Sequence, residues 1–145
     1  MVNVNLTANI ILGDIMARSM AGGGRILFIS SISAETGSVQ DPSYAASKAG
    51  LRGLVRSLAR KYARKPLIVN ELQLGSVKNT ALNSEIWGDL TRAEISTLHL
   101  KLQSQLPTRR LLTPDRVAEQ VVALCEARSM FASSTLVFDG GERVI

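Results

Sequence analysis

The chain has 145 residues, a length that suits one domain with its own apolar core. Apolar residues make up 46% and charged residues 20%, which indicates a globular protein and excludes an intrinsically disordered one. The formal net charge is +5, but aromatic residues make up only 4% and no recognition motif is present, so nucleic acid is not an expected partner.

The first predicted elements are a helix and a buried strand. Apolar side chains recur at helical spacing over residues 6–20, and three glycines end that helix. A continuous apolar block at residues 25–30 predicts a strand that is covered on both faces, as in a parallel sheet. Residues 30–43 are polar and contain Gly37 and Pro42, so we expect a loop there.

The longest predicted helix covers residues 44–64. One face carries large apolar side chains such as Leu51 and Val55. Another face carries only small side chains, and a glycine in mid-helix costs about 1 kcal/mol relative to alanine. The small residues therefore indicate that another backbone packs closely against this face: Ala46, Ala49, Gly50, Gly53 and Ser57.

A second strand and a capped helix follow. Residues 67–74 begin with a β-branched, apolar run and predict the strand, and residues 75–83 predict a loop. Thr91 and Glu94 match a capping box, the pattern in which each side chain bonds to the other's backbone at a helix start. We expect this helix to end near residue 105.

The last predicted elements complete an alternating order. Thr113 and Pro114 begin a helix whose apolar side includes Cys125, which we expect to face the core. Residues 135–138 predict a final strand. Alternation of this kind predicts one α/β domain over residues 1–145, with a parallel sheet and helices on both of its faces.

Tyr44 and Lys48 form the first part of a candidate site. They are four residues apart at a helix start, so their side chains share a face. A nearby ammonium favours the phenolate, so we expect Lys48 to lower the pKa of Tyr44 and to make it a usable acid or base. Most pairs at this spacing are ordinary surface neighbours. The position of Ser31 makes a functional site more plausible here, because it lies at the carboxyl end of a strand, where open parallel sheets bind ligands. Its hydroxyl could hold a substrate oxygen beside the phenol, and Ser30 and Ser33 are alternative candidates for this role.

Several segments together resemble the short-chain dehydrogenase/reductase family. They are GRILFISS at residues 24–31, YAASKAGL at 44–51, Val69, Asn70, Gly75, Thr80, the Thr113–Pro114 pair and LVFDGG at 136–141. The resemblance implies a Rossmann-like doubly wound sheet and an NAD(P)-dependent oxidoreductase. It is nearest to the subgroup that includes 3-oxoacyl carrier-protein reductases and many sugar or alcohol dehydrogenases, and it does not choose between NAD and NADP.

The resemblance also implies roles for individual residues. Tyr44 would be the general acid in carbonyl reduction and the general base in alcohol oxidation. Lys48 would bind the nicotinamide ribose and lower the pKa of Tyr44, and Ser31 would orient the substrate oxygen. Asn5 matches an asparagine that supports a proton relay, although a helix-capping asparagine is an equal alternative. The cofactor would also contact Gly75, Val77 and Thr80.

The chain departs from the family pattern at its front. No strand followed by a Gly-rich, phosphate-binding turn precedes the first helix. We therefore expect an incomplete Rossmann-like sheet, the C-terminal catalytic half of such a fold, which lacks the N-terminal nucleotide-binding βαβ units. A sheet of this kind exposes an edge and an apolar face, which is an aggregation hazard. Because the nucleotide-binding units are missing, we expect weak cofactor binding by the chain alone.

The expected partners are a small-molecule carbonyl or alcohol substrate and further copies of the chain, in a homo-dimer or homo-tetramer. The alternative is a non-catalytic remnant that acts as a dimerisation module through the helices at residues 6–20 and 44–64. Leu82, Ile86 and Trp87 fall in the segment that forms the substrate lid in the family, although ordinary packing is an equal interpretation.

Membrane and metal partners are not expected. No apolar run reaches the roughly 18 residues that a membrane span needs. Cys125 is the only cysteine, which fits a reducing compartment, and we expect a cytoplasmic location. His99 is the only histidine and has no second ligand at metal-binding spacing, so no metal site is predicted.

Overall fold

The computed structural model describes residues 1–78, 90–126 and 131–145. Its first half contains a π-helical turn (Asn3–Thr7), helix α1 (Ala8–Ser19), strand β1 (Gly24–Ser31), the short helix α2 (Ser33–Thr36) and helix α3 (Pro42–Lys61). Its second half contains strand β2 (Leu67–Leu74), helices α4 (Arg92–Gln105) and α5 (Pro114–Glu126), strand β3 (Thr135–Phe138) and a 3-10 turn (Glu142–Val144). The alternation predicted from the sequence is confirmed.

The three strands form one parallel sheet in the order β1-β2-β3. In the register of β1 and β2, Ser31 lies opposite Leu74, so both strands end at the same level. Within the described residues β1 pairs on one side only, which leaves its other edge free. The prediction of an α/β fold with an incomplete, Rossmann-like parallel sheet is therefore confirmed.

Helices α1 and α3 pack against β1 and β2 around the apolar core. The core residues come from all four elements: Ala17, Ile26, Phe28, Leu51, Val55, Leu58 and Val69. Gly13 lets α1 approach the sheet, because a Cβ atom there would lie 2.8 Å from the Phe28 ring. The core fixes α3, and therefore its first turn, above the carboxyl ends of the strands.

Helix α3 begins two residues earlier than predicted. The Asp41 carboxylate accepts a hydrogen bond from the Tyr44 backbone N–H at 2.9 Å, and Pro42 occupies the first helical position. Tyr44 therefore lies inside the first turn. The segment expected to be a loop also contains α2, a single helical turn that begins two residues after Ser31.

The small-residue face of α3 and the side chain of Cys125 are both more exposed than the sequence predicted. The small face of α3 packs closely only at Gly50, where a Cβ atom would lie 2.7 Å from Leu6, whereas a Cβ atom at Gly53 would meet open space. The prediction that Cys125 lies in the core is wrong, because this residue is exposed. The reason is that α5 buries none of its residues completely.

The start of helix α4 agrees with the sequence prediction. The Thr91–Glu94 capping box is confirmed, with the backbone and side chain of each residue bonded to the other. The three lid residues and Thr80 lie outside the described residues. Across the part of the chain that the structure describes, every helix is too short or too polar to cross a membrane.

Candidate functional site

The candidate site lies where the parallel strands end. The backbone N–H of Ile32, directly after β1, donates to the Leu74 carbonyl at 3.0 Å, and the Gly75 N–H donates to the Phe138 carbonyl at 3.1 Å. Backbone hydrogen bonds thus join the carboxyl ends of β1, β2 and β3 at one edge of the sheet. Open α/β sheets bind their ligands at this edge.

Ser31, Tyr44 and Lys48 lie together at this edge. The Ser31 side chain lies close enough to the Tyr44 hydroxyl to affect its pKa. The Lys48 Nζ lies 5.6 Å from the centre of the Tyr44 ring and donates to the Ile29 carbonyl at 3.1 Å. One hydroxyl, one phenol and one ammonium therefore share a single, half-buried location. The four-residue spacing of Tyr44 and Lys48 predicted that these two side chains lie on the same face of the helix.

The geometry separates Ser31 from its two competitors. Ser30 is buried and its hydroxyl donates to the Lys48 backbone carbonyl at 3.3 Å, so it fastens β1 to α3. The Ser33 N–H donates to the Ser31 Oγ at 3.1 Å, and the Ser31 hydroxyl is 3.2 Å from the Ser33 hydroxyl. Ser33 therefore supports the Ser31 side chain, which is the one that reaches Tyr44.

The electrostatics of Tyr44 differ from the expectation. Burial raises the pKa of Tyr44, the nearby Ser31 hydroxyl partly offsets that rise, and the Asp41 carboxylate adds to it. Burial also lowers the pKa of Lys48. The expected lowering of the tyrosine pKa by Lys48 is absent because the ammonium lies over the ring face and is bonded to the Ile29 carbonyl. The phenol therefore keeps its proton at neutral pH, the form that donates.

Asn5 lies in the π-helical turn that precedes α1. Its side-chain amide is 3.0 Å from the Met1 Sδ, and its backbone carbonyl accepts from the Asn9 side chain at 3.0 Å. The helix-capping alternative does not hold, because Val2 and Thr7 occupy the cap positions. Short π-helical segments often mark functional sites, but no described contact joins Asn5 to Lys48, so its relay role stays a prediction.

Gly75 and Val77 lie in the segment that leaves β2. A Cβ atom on Gly75 would lie 2.8 Å from a Glu142 carboxylate oxygen and 2.9 Å from the Asp139 Cα, so only glycine fits there. Val77 forms an isolated parallel bridge with Leu112. Thr80, the third residue expected in this loop, lies outside the described residues.

The residues at this edge fit the nicotinamide end of a dinucleotide. The Lys48 ammonium has three N–H donors and uses one on the Ile29 carbonyl, so donors remain for ribose hydroxyls. The Tyr44 phenol is half-buried beside it. The described residues include no Gly-rich turn between a strand and a helix, so the fit covers the nicotinamide end and not the pyrophosphate.

Sequence reasoning missed the contacts that hold the segment after β2. Both carboxylate oxygens of Glu142 accept from Ser76, one from its backbone N–H at 2.7 Å and one from its hydroxyl at 2.7 Å. The two residues are 66 positions apart in the chain, so no local pattern could have paired them. The glycine pair before Glu142 signalled only that β3 had ended.

Comparison with known proteins gives a consistent result. The family described as enoyl-(acyl carrier protein) reductase matches residues 1–142. The chain is 29% identical over 140 residues to the 3-oxoacyl-[acyl-carrier-protein] reductase FabG of Aquifex aeolicus, covering 95% of this chain and 53% of that protein. It is 31% identical over 143 residues to the Mycobacterium tuberculosis reductase MabA, covering 97% of this chain and 54% of that protein.

Solved structures agree. A protein described as a short chain dehydrogenase/reductase family protein matches with a TM-score of 0.81 and 28% identity, over 100% of this chain and 57% of that one. The structure of BdcA in complex with NADPH matches with a TM-score of 0.74 and 26% identity, over 97% of this chain and 55% of that one. The chain therefore spans about half the length of the proteins it matches.

Proposed function

This chain belongs to the short-chain dehydrogenase/reductase family, and we propose that it supplies the catalytic residues of an NAD(P)-dependent oxidoreductase that interconverts a carbonyl and a secondary alcohol. The observation that carries the proposal is the common location of Ser31, Tyr44 and Lys48 at the carboxyl ends of the strands, with the Lys48 Nζ 5.6 Å from the centre of the Tyr44 ring. Two matched relatives are named as 3-oxoacyl carrier-protein reductases, so a 3-oxoacyl thioester is the first substrate to test.

In the proposed reduction the protein handles the oxygen of the substrate. When bound, the nicotinamide cofactor would supply the hydride that reduces the carbonyl carbon. The Ser31 hydroxyl orients the carbonyl oxygen, and the Tyr44 phenol donates its proton to that oxygen as negative charge develops. In the reverse direction the Tyr44 phenolate accepts the proton of the alcohol.

The remaining predicted residues bind the cofactor or support the relay of the proton that Tyr44 exchanges. Lys48 binds the nicotinamide ribose through its free donors, and Asn5 supports a proton relay. Gly75 and Val77, together with Thr80, contact the cofactor. The proposal accepts NAD or NADP, and the neighbour in complex with NADPH makes NADPH the first to test.

Replacing Ser31 by alanine tests the oxygen-orienting role. We expect kcat/KM for reduction to fall about 100-fold, the usual effect of removing one donor from a developing oxyanion. The assay follows oxidation of NADPH, and in parallel of NADH, with a 3-oxoacyl thioester and with simple ketones. The matched control is Ser57→Ala, since that exposed hydroxyl bonds only within α3, to Gly53 at 2.8 Å. Equal kcat/KM values for the two variants would contradict the proposal.

A second candidate function is supported by the outer face of α1. Five apolar side chains of this helix are exposed: Ile10, Ile11, Leu12, Ile15 and Met16. An apolar stripe of this size is unusual on a free surface and marks an interface. We propose that a second copy of the chain covers it, in a homo-dimer or within a homo-tetramer. A non-catalytic dimerisation module would use the same surface.

The double substitution Ile11→Asp and Ile15→Asp tests this interface. Each side chain is 56% exposed in the isolated chain, so the charges cost little in a monomer and disrupt an apolar contact between copies. Sedimentation analysis should show the wild type as an oligomer and the variant as a monomer. Val39→Asp, at a loop position that is 95% exposed, is the control. A wild-type monomer would contradict the interface, and an inactive wild-type dimer would favour the remnant.

A further inference from the structure

The described chain ends in a turn that is built around one carboxylate. The Asp139 Oδ1 accepts from the Gly141 N–H at 2.9 Å, and its Oδ2 accepts from the Arg143 N–H at 2.9 Å. A side chain that holds two nearby backbone N–H groups fixes the local conformation, as in an Asx turn. The turn Glu142–Val144 therefore presents the Glu142 and Arg143 side chains from a defined position.

Glu142 reaches the segment that leaves β2. Its two oxygens accept from the backbone N–H and from the hydroxyl of Ser76, both at 2.7 Å. Hydrogen bonds to an ionised carboxylate are short and roughly twice as strong as neutral ones. The carboxylate also lies against Gly75 at a distance that leaves no room for a Cβ atom. Residues 75–77, called the cofactor loop below, are thus fixed from the C-terminal turn.

Arg143 reaches the segment that follows Ser31. Its guanidinium donates to a Glu35 carboxylate oxygen at 2.7 Å. Glu35 lies in α2 and also pairs with Arg52 of α3. Arg143 is the main cause and Arg52 a further cause of the lowered pKa of Glu35, which therefore stays charged.

Arg52 connects this contact to the catalytic helix. It lies one helical turn after Lys48, and Lys48 lies one turn after Tyr44, so the three side chains share one face of α3. The C-terminal turn therefore contacts the cofactor loop through Glu142 and the segment after Ser31 through Arg143, and it is linked to the helix of Tyr44 only through the Glu35–Arg52 pair.

We propose that residues 139–144 act as a brace in which Glu142 positions the cofactor loop and Arg143 positions α2 behind Ser31. The inference rests on the proposed function, because it assigns the loop to a nicotinamide cofactor. Neither side chain touches Tyr44, Lys48 or Ser31 in the described contacts, so both are positioning residues. Glu142 acts on cofactor affinity, and Arg143 acts on the placement of the substrate-orienting serine.

The first experiment is Glu142→Ala, read out by amide hydrogen exchange. Loss of two charge-assisted bonds should speed exchange at the Ser76 amide by about tenfold or more relative to the wild type. Exchange at the core amide of Val69 should stay unchanged, which shows that the variant is folded. Val144→Ala, an exposed position in the same turn, is the control. Unchanged exchange at Ser76 would overturn the brace.

A kinetic readout separates positioning from a general structural effect. Glu142→Ala should raise KM for NADPH about tenfold, in proportion to the loosened loop, while kcat at saturating NADPH changes less. Arg143→Ala should instead lower kcat with little effect on KM for NADPH, and Arg143→Lys should restore part of the rate. Identical kinetic changes in the Glu142 and Arg143 variants would overturn the division of roles.

Two further outcomes keep the brace distinct from the proposed activity. Should Glu142→Ala fail to fold, Ser76→Ala removes one of the two bonds from the other side, and the exchange at residue 76 should still rise. Faster exchange at residue 76 in a protein that reduces no carbonyl would support the brace as a structural contact and contradict the proposed activity. Slow exchange at residue 76 in a variant that still reduces carbonyls would overturn the brace and leave the proposed activity intact.

Discussion

Replacing Tyr44 by phenylalanine is expected to lower kcat/KM for carbonyl reduction roughly 1,000-fold, within the range that a positioned general acid contributes. Phenylalanine keeps the ring and its contact with Lys48, and removes only the hydroxyl that donates the proton and lies near Ser31. The binding of NADPH, measured by fluorescence, should therefore change little. A loss that falls on kcat and not on cofactor affinity identifies a group that acts on the reacting oxygen.

Tyr62→Phe is the matched control, since it makes the same chemical change at the only other tyrosine. The Tyr62 hydroxyl donates to Asp14 at 2.7 Å and so belongs to the contact between α3 and α1. This variant should lose some stability and keep its activity. Equal activities of the two tyrosine variants would contradict the catalytic role of Tyr44 and leave the dimerisation module as the better interpretation.

The pH profile of the wild type gives the same prediction a second readout. Reduction needs the protonated phenol, and burial raises the pKa of Tyr44. The value of kcat/KM for reduction should therefore stay level through neutral pH and fall as the pH rises through the Tyr44 pKa. Oxidation needs the phenolate and should rise over the same interval. This pH dependence should vanish from the residual activity of Tyr44→Phe.

The elements that the sequence predicts well are those whose signals are local. The apolar block before Ser31 predicted β1, and the Thr91–Glu94 capping box predicted the start of α4. Helix α2 was missed because a segment of four residues is too short to show a helical period. The early start of α3 also had a local signal, because Asp41 and Pro42 form the same kind of helix start as Thr113 and Pro114.

The candidate site was predictable in its members and not in its electrostatics. The spacing of Tyr44 and Lys48 fixed their common face, and the position of Ser31 at a strand end brought it to them. The direction of the Tyr44 pKa shift depends on burial and on the partner that the Lys48 ammonium selects, the Ile29 carbonyl. Neither can be known before the helix is packed on the sheet.

The long-range polar contacts were beyond any pattern in the sequence. Arg143 and Glu35 are 108 residues apart, and Thr135 and Glu71 are 64 residues apart. A sequence pattern can place each of these residues on an element, but it cannot pair them, because the pairing follows from strand order and register. Glu71 is the clearest case, since an acidic residue in the middle of a strand reads as solvent-facing, whereas its side chain is completely buried.

Arg52→Ala is expected to lower the free energy of unfolding by about 1–3 kcal/mol, the cost of leaving a buried charged group without one of its partners. The Arg52 Nε lies 3.6 Å from a Glu71 oxygen, and Glu71 has no exposed surface. That carboxylate also accepts from Thr135 at 2.8 Å and from Gln73 at 3.2 Å, but neither neighbour carries a compensating charge. Urea unfolding at neutral pH gives the measurement.

The second substitution that completes the test is Glu71→Gln in the Arg52→Ala background. It removes the stranded charge and keeps an amide oxygen that can accept from Thr135 and Gln73, so we expect it to recover most of the lost stability. Arg56→Ala, on an exposed position one turn further along α3, is the control and should cost little. If Arg52→Ala costs no more than Arg56→Ala, then the Glu71 carboxylate does not depend on Arg52. If Arg52→Ala is costly and Glu71→Gln fails to recover stability, the cost comes from the Arg52–Glu35 contact, which Glu35→Gln would then reproduce alone.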